Sequence, residues 1–417
     1  MKFIHAADLH IDSPLRGLDR YEGAPVEQLR GASRRALIAL VDLALAETVE
    51  LVVLAGDIFD RDLGDFHAAM FFRRQMLRLT GAGVRVFVVK GNHDAEGQIG
   101  RKLPDVPGLH IFSARAAEVI DLPELGVAVH GRSFPDRFVP EDLVPGYRDA
   151  VPGRFNIGVL HTSLTGRIGH DPYAPTDLAT LEAKGYDYFA LGHVHAREVV
   201  REAGPRIVFP GNLQGRHVGE TGSKGCDIVE VRDQRIVSAE HVALDVVRWH
   251  WLQLPAEGLD SVNALALRFH EACDRLVDGA GDRLHAMRVT VTGESALQAL
   301  EAAEPGSIAA ALQAATQDYR RATLWIESVR LDLRSPLDRA TLRQREDAGG
   351  EVSRLVDELA GDPVALRAWM LDSLDRLPPL PPDFADLDPG RLGDEQLQAL
   401  LADAEATVIS LLAEKGA

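Results

Sequence analysis

Up to about Leu244 the chain alternates short runs of β-branched and apolar residues with stretches whose apolar positions recur at helical spacing. That alternation predicts βαβ-type units and an α/β sheet. The runs KFIHA, LVVLAG, VRVFVVKG, VAVHG, FNIGVLH, YDYFALGH and RIVFPG read as strands, and CDIVEVRDQRIVSAEHV reads as a hairpin closing the sheet region. Between the first two runs Leu37, Leu40, Val41 and Leu45 fall on one helical face. A second helix is predicted over AAMFFRRQMLRL, where core residues alternate with Arg73, Arg74 and Arg78.

From Asp245 the texture changes. VVRWHWLQL is followed by a helix over Val262 to Val277, a strand HAMRVTVTG, an Ala-rich helical stretch and a strand TLWIESVRLDL. This β-α-β-α-β order suits a small α/β cap domain. Trp249 and Trp251 have the spacing of one strand face, and packing within the cap is expected of them rather than a nucleic-acid stacking platform. After Ser335 the pattern is helical. Asp362 and Pro363 make an N-cap and first helical position for a segment whose Leu366, Trp369, Met370, Leu374 and Leu377 share a face. Beyond the proline-rich PPLPPDFADLDPG, a last helix carries the apolar stripe Leu397, Leu400, Leu401, Ala404, Val408, Leu411 and Leu412. Such a stripe needs cover from the chain's own body or from another protein. The expected domains are therefore residues 1–244, 245–335 and 336–417.

Composition changes this picture in two ways. With 46% hydrophobic and 26% charged residues over 417 positions, the chain reads as a soluble protein of more than one domain. No run approaches a membrane span or a signal peptide, and Cys226 and Cys273 are too few for a disulfide framework or thiolate zinc site, so a cytoplasmic setting is expected. The formal charge of −18 argues against a general polyanion binder. Residues 336–417 hold 17 acids against 8 Lys and Arg, half of that excess, so any nucleic-acid contact is expected elsewhere.

Chemistry gathers where strands end. Asp8 and His10 follow the first strand, Asp57 the second, and Asn92 and His93 the third; His161, His193 and His195 follow later ones. In open α/β sheets the carboxyl ends of strands converge on one crevice, so these residues can meet. Carboxylate, amide oxygen and imidazole together suit borderline divalent ions, most of all manganese, with iron or zinc as further choices. One carboxylate can bridge two ions, and Asp57, held by the turn after Gly56, is the natural bridge. Two such ions can generate a hydroxide at neutral pH and support in-line displacement at phosphorus, which makes phosphoester hydrolysis the expected reaction.

The ordered set D-x-H, G-D, G-N-H-D, H and G-H-x-H, running from Asp8 to His195, resembles the calcineurin-like metallophosphoesterases. That resemblance implies a sheet core flanked by helices, followed here by the α/β cap and the helical tail. It further implies one ion held by Asp8, His10, Asp57 and His195, and a second held by Asp57, Asn92, His161 and His193. His93 is then left for proton work, protonating the leaving alkoxide, with Asp94 as a residue that could orient it or neighbouring groups, while a structural role is the one expected of Asp94 and Asp60. His5, within the first strand, is expected to be packed or to support a ligand from behind rather than to bind metal. Within the superfamily HAADLHIDSPLRGL, ALGHVHAREV and FPGNLQGRHVGETGSKG resemble SbcD-type DNA-repair exonuclease subunits, especially the YhaO-like branch. DNA as substrate and a coiled-coil ATPase of the SbcC type, bound through the C-terminal helices, follow from the resemblance; a homodimer stays open.

A DNA groove needs cations. Arg16, Arg20, Arg132, Arg167, Arg216 and His217 lie in predicted loops and are the candidates. No base-reading module is evident, so sequence-tolerant recognition of backbone or ends is expected. Two other readings compete: a phosphoesterase for small substrates such as cyclic nucleotides or phosphomonoesters, and a non-catalytic metal-binding scaffold for a partner ATPase.

Overall fold

The computed structural model describes residues 1–13, 24–60, 66–96, 105–166, 173–277, 282–334, 336, 342–374, 376 and 392–415. The chain divides into two compact units, Met1–His250 with Gly281–Met287, and Trp251–Ala280 with Arg288–Ala417.

Among the described residues, the first unit holds twelve strands in two six-stranded sheets. They are β1 (Lys2–Ala6), β2 (Leu51–Ala55), β3 (Arg85–Val89), β4 (Leu109–Ile111), β5 (Glu118–Leu122), β6 (Val127–Gly131), β7 (Phe155–His161), β8 (Tyr188–Gly192), β9 (Glu198–Arg201), β10 (Arg206–Phe209), β11 (Gly225–Arg232) and β12 (Arg235–Ala243). One sheet has the order β12-β11-β1-β2-β3-β4, the other β5-β6-β7-β8-β10-β9. The central strands β1, β2 and β3 pair in parallel, as do β6, β7, β8 and β10. Their carboxyl ends therefore lie along one edge of each sheet.

The inner faces meet in a core containing Phe3, Val53 and Phe87 from one sheet and Val129, Val159 and Tyr188 from the other. Alternate residues turn outward: Ile4, Val52, Leu54 and Val86 pack on Leu37, Leu40, Phe72 and Met76 of the helices Ala32–Ala46 and Phe66–Gly81. On the far side Leu160, Phe189 and Leu191 pack with Tyr147 and Leu181. Because both faces of the central strands are covered, they read as unbroken apolar runs rather than alternating ones. Emptying one such position, for instance Phe3→Ala, costs about 3–5 kcal/mol. The expected sheet core flanked by helices is the fold observed. β4, β5 and β9, absent from the sequence reading, are largely half-exposed, so their side chains carry little of the apolar signal.

The second unit contains most of a three-stranded sheet, ordered β13 (Val247–Pro255), β14 (Leu284–Glu294) and β15 (Thr323–Arg334), with β13 and β14 starting in the first unit. The helices Val262–Leu276, Leu297–Ala303 and Ser307–Asp318 alternate with these strands in sequence. Trp249 is buried, its indole N–H donating to the Gly215 carbonyl at 3.1 Å, whereas Trp251 is 66% exposed. Equal strand-face spacing did not give the two indoles equal surroundings. Both cysteines are fully buried.

The helices Ala348–Ala360, Pro363–Leu374 and Asp394–Lys415 form a small core of Val356, Leu359, Leu366, Leu397 and Leu401. The Asp362 carboxylate accepts from the Val364 and Ala365 amides, the cap expected of it. The last helix, however, is rotated relative to the stripe read from sequence. Its buried row is Leu397, Leu401, Glu405 and Ile409, at i, i+4 spacing, while Leu400, Ala404 and Val408 face outward. Glu405 occupies that row because Ser353 Oγ donates to it at 2.9 Å. No helix among the described residues is long and apolar enough to cross a membrane.

Candidate metal centre

Four residues of the ordered set leave their strands with backbone in the left-handed region: Asp8 (φ 52°), His10 (φ 41°), Asp57 (φ 52°) and His193 (φ 102°). For residues with a Cβ this conformation is costly, about 1–3 kcal/mol each, and it persists where surrounding structure enforces it. Here it turns the side chains out of the sheets and into one cleft of the first unit.

Glycines make room for that turn. Gly56, at φ 94°, and Gly91 both lie against the His161 ring, and a Cβ at either would collide with it. At Gly192 a Cβ would strike the Ala55 carbonyl, so the approach of the two sheets at this point depends on a missing side chain.

Two groups of atoms converge. In the first, His10 Nε2 lies 3.2 Å from His195 Nε2 and 3.8 Å from Asp57 Oδ2, and His195 Nε2 lies 3.8 Å from Asp8 Oδ1. In the second, His161 Nε2 lies 3.0 Å from Asn92 Oδ1 and 3.5 Å from Asp57 Oδ2. The His161 Nδ1–H donates to the Ala55 carbonyl at 2.9 Å, so its Nε2 presents a lone pair. A ring nitrogen, an amide oxygen and a carboxylate oxygen thus face one another. Such a convergence fits a cation, and Asp57 belongs to both groups, as a bridging ligand would. The His193 ring stands edge-on to His161 at 5.2 Å between centroids, and its backbone N–H donates to both Asp8 oxygens at 3.1 and 2.9 Å.

The electrostatics agree. Burial, reinforced by the Asp57 charge, holds the Asp8 carboxyl well above its usual range, and burial also raises Asp57 despite nearby His93. Burial, then the Arg216 charge, holds His10 well below the ordinary histidine value; burial likewise lowers His195. The protein has placed carboxylates and neutral imidazoles where desolvation penalises bare charge, a penalty that a divalent cation would offset.

His93 stands beside this cluster. Its Nδ1 donates to Asp60 Oδ1 at 2.7 Å, and its Nε2 lies 4.0 Å from Asp57 Oδ2. Orientation of the ring therefore comes from Asp60, and Asp94 has the structural role expected of it. The Asp94 carboxylate instead accepts from the amides of Ile58, Phe59 and Gly91 at 3.0–3.1 Å, tying the loop after β2 to the loop after β3. Burial, then the Asp57 charge, pushes its carboxyl up to about 7. His5 is fully buried, bonded to the Tyr188 hydroxyl and Leu191 carbonyl, a packed residue.

The candidate cations scatter. Arg216 lies at the cleft, with Nη1 3.8 Å from Asp60 Oδ2 and Nη2 2.8 Å from Glu220 Oε1. The His217 side chain is 63% exposed. Arg132 leans on the turn at Gly146, 3.7 Å from where a Cβ there would stand. Arg16, Arg20 and Arg167 lie outside the described residues. Sequence reasoning missed Glu220 as a partner of His195, and Asp60 as a partner of His93. The only signal for Glu220 was its place in the Gly-rich polar segment FPGNLQGRHVGETGSKG.

Residues 1–197 match the calcineurin-like phosphoesterase model, and residues 249–334 match the middle domain of the metallophosphoesterase YhaO. The chain is 34% identical to the metallophosphoesterase YhaO of Bacillus subtilis over 270 residues, covering 64% of this chain and 65% of that one. It is 25% identical to the DNA double-strand break repair protein Mre11 of Thermoplasma acidophilum over 261 residues, 59% of this chain and 66% of the relative. Against the SbcD component of the SbcCD nuclease of Bacillus subtilis the identity is 25% over 305 residues, 63% and 74% of the two chains. The match thus spans just under two thirds of the length of the first two relatives.

Proposed function

This chain carries a calcineurin-like metallophosphoesterase domain followed by a YhaO middle domain, and from that premise we propose that it is a two-metal-dependent DNA phosphodiesterase, an exonuclease with endonuclease cleavage as a second mode, acting in DNA repair. The observation that carries the phosphoesterase reading is the approach of Asn92 Oδ1 and Asp57 Oδ2 to His161 Nε2, at 3.0 and 3.5 Å. The DNA reading is supported by the likeness to Mre11 and to the SbcD component of the SbcCD nuclease.

In this proposal Asp8, His10, Asp57 and His195 hold one cation, and Asp57, Asn92, His161 and His193 the other, with manganese the favoured ion. Bound divalent cations supply Lewis acidity to a phosphate oxygen and acidify water. The chain's own residues do the rest. His93, with its Nδ1–H fixed on Asp60, would act as the imidazolium, its Nε2–H passing to the leaving alkoxide and leaving the neutral ring. The histidine amide at position 193 holds the Asp8 carboxylate in place. Contacts to DNA would come from His217 and the other loop cations, with Arg216 turned toward Glu220 and Asp60, and would read the backbone rather than bases.

A partner ATPase of the SbcC type is proposed to bind the C-terminal helices, where Leu355, Val364, Trp369 and Leu371 are exposed large apolar residues. We retain the division at residues 244 and 335 and a cytoplasmic setting as proposals. The deciding experiment assays purified protein with manganese on defined single- and double-stranded DNA, beside cyclic nucleotides and nitrophenyl phosphates at equal enzyme. DNA degradation is the expected result. Turnover of the small esters alone would replace this reading with the small-substrate one. Stable metal loading without any turnover, even with the ATPase added, would leave the scaffold.

A further inference from the structure

The loop from Asn212 to Glu220 places a buried carboxylate behind the cleft. Glu220 is 8% exposed, and its Oε1 accepts the Nδ1–H of His195 at 2.7 Å. Its charge is answered from its own loop: Arg216 Nη2 donates to Oε1 at 2.8 Å, the Arg216 amide to Oε2 at 2.7 Å, and Asn212 Nδ2 to Oε2 at 2.8 Å. The close approach of Arg216 Nη2 to His195 Nδ1, 3.1 Å, arises because both donate to the same oxygen. The other end of the guanidinium, Nη1, lies 3.8 Å from Asp60 Oδ2, and Asp60 is the carboxylate that holds His93 by its Nδ1. Lys224 Nζ adds a bond to the His195 carbonyl at 2.7 Å.

From this arrangement we infer that Glu220 is the positioning residue of His195, and that Arg216 braces Glu220 against Asp60 so that one loop presets the rings of both His195 and His93. The inference rests on the metal-binding reading above. A neutral imidazole carries one N–H, and a carboxylate can only accept. Glu220 therefore selects the Nδ1–H form of His195 and leaves the Nε2 lone pair aimed at His10 and Asp8, where a cation is wanted. A carboxylate behind a ligating imidazole fixes both tautomer and ring angle, and its loss typically weakens metal affinity about 10–100-fold. Arg216 is thereby given to orientation of the site more than to gripping a substrate phosphate, since the Nε and Nη2 of its guanidinium are already turned to Glu220.

The test uses the full chain in metal-free form. Histidine ring 15N spectra of the wild type should show an Nδ1–H imidazole whose signal disappears in His195→Asn. In Glu220→Ala that tautomer should be lost, and calorimetric titration with Mn2+ should show one of two sites weakened about 10–100-fold with the other little changed. Glu220→Gln, nearly isosteric and still able to accept, should restore the tautomer and part of the affinity, and it keeps the test usable should the alanine variant not fold. Arg216→Lys should lower Mn2+ affinity and kcat while leaving KM within about threefold. The inference is overturned by an unchanged His195 tautomer and unchanged Mn2+ binding in both Glu220 variants, or by an Arg216→Lys effect confined to KM. Should the wild type bind no Mn2+ at all, the metal reading fails, while the tautomer measurement still decides the role of Glu220.

Discussion

His161, at the end of β7, donates its Nδ1–H to the carbonyl of Ala55, at the end of β2, across 2.9 Å. The two strands belong to different sheets, so this bond joins the sheets at the edge where the cleft opens. Gly56, next in the chain, has no side chain to stand in the ring's way.

Gly56→Ala should therefore disable the cleft. The residue sits at φ 94°, and the new methyl would collide with His161. Loss of Mn2+ binding by calorimetry is expected, with far-ultraviolet circular dichroism close to wild type; full-strength binding would show that His161 is not held as described.

Asp57→Ala removes the carboxylate common to both atom clusters. Metal analysis after dialysis should find both ions depleted, not one. Depletion of a single ion would remove Asp57 from the bridging position.

His93→Gln should keep the metal and lose turnover, by about 100-fold or more, the usual worth of a positioned proton donor. Asp60→Asn should follow it in direction with a smaller loss, because His93 Nδ1 would lose a charged acceptor. The reverse pattern, metal lost and activity regained in excess manganese, would make His93 a ligand.

Acid stability should carry the signature of His5. Burial, opposed in part by Asp227 and the Leu191 carbonyl, lowers this imidazole from 6.5 to about 4. The unfolded chain then takes up a proton that the folded chain refuses, so stability falls as pH drops from 6.5 toward 4 and the loss is complete below that. About 3 kcal/mol is involved at roughly 1.4 kcal/mol per unit. Denaturant unfolding of His5→Phe across that range should be flatter than wild type, and equal slopes would reject the assignment.

The ligand types were legible in the sequence because each follows an apolar run ending in a short polar motif, and parallel strands bring such ends to one edge. The strands themselves were legible where both faces are buried, as in β2 and β7, and invisible where half-exposed edges dilute the signal, as in β4, β5 and β9. Periodicity found the last helix but placed its buried face one position off, since Glu405 is buried through a bond to Ser353 that no pattern of apolar residues encodes.

What the sequence determined by itself is therefore local: which segments are strands, which side chains stand at their ends, and which glycines leave room beside them. Only the tertiary structure decided who orients whom. Asp60 holds His93, Asp94 ties two loops together, and Glu220 reaches His195 across 25 positions of chain. Hydrogen bonds of that kind depend on angle and distance between segments remote in sequence, and neither composition nor spacing contains those coordinates.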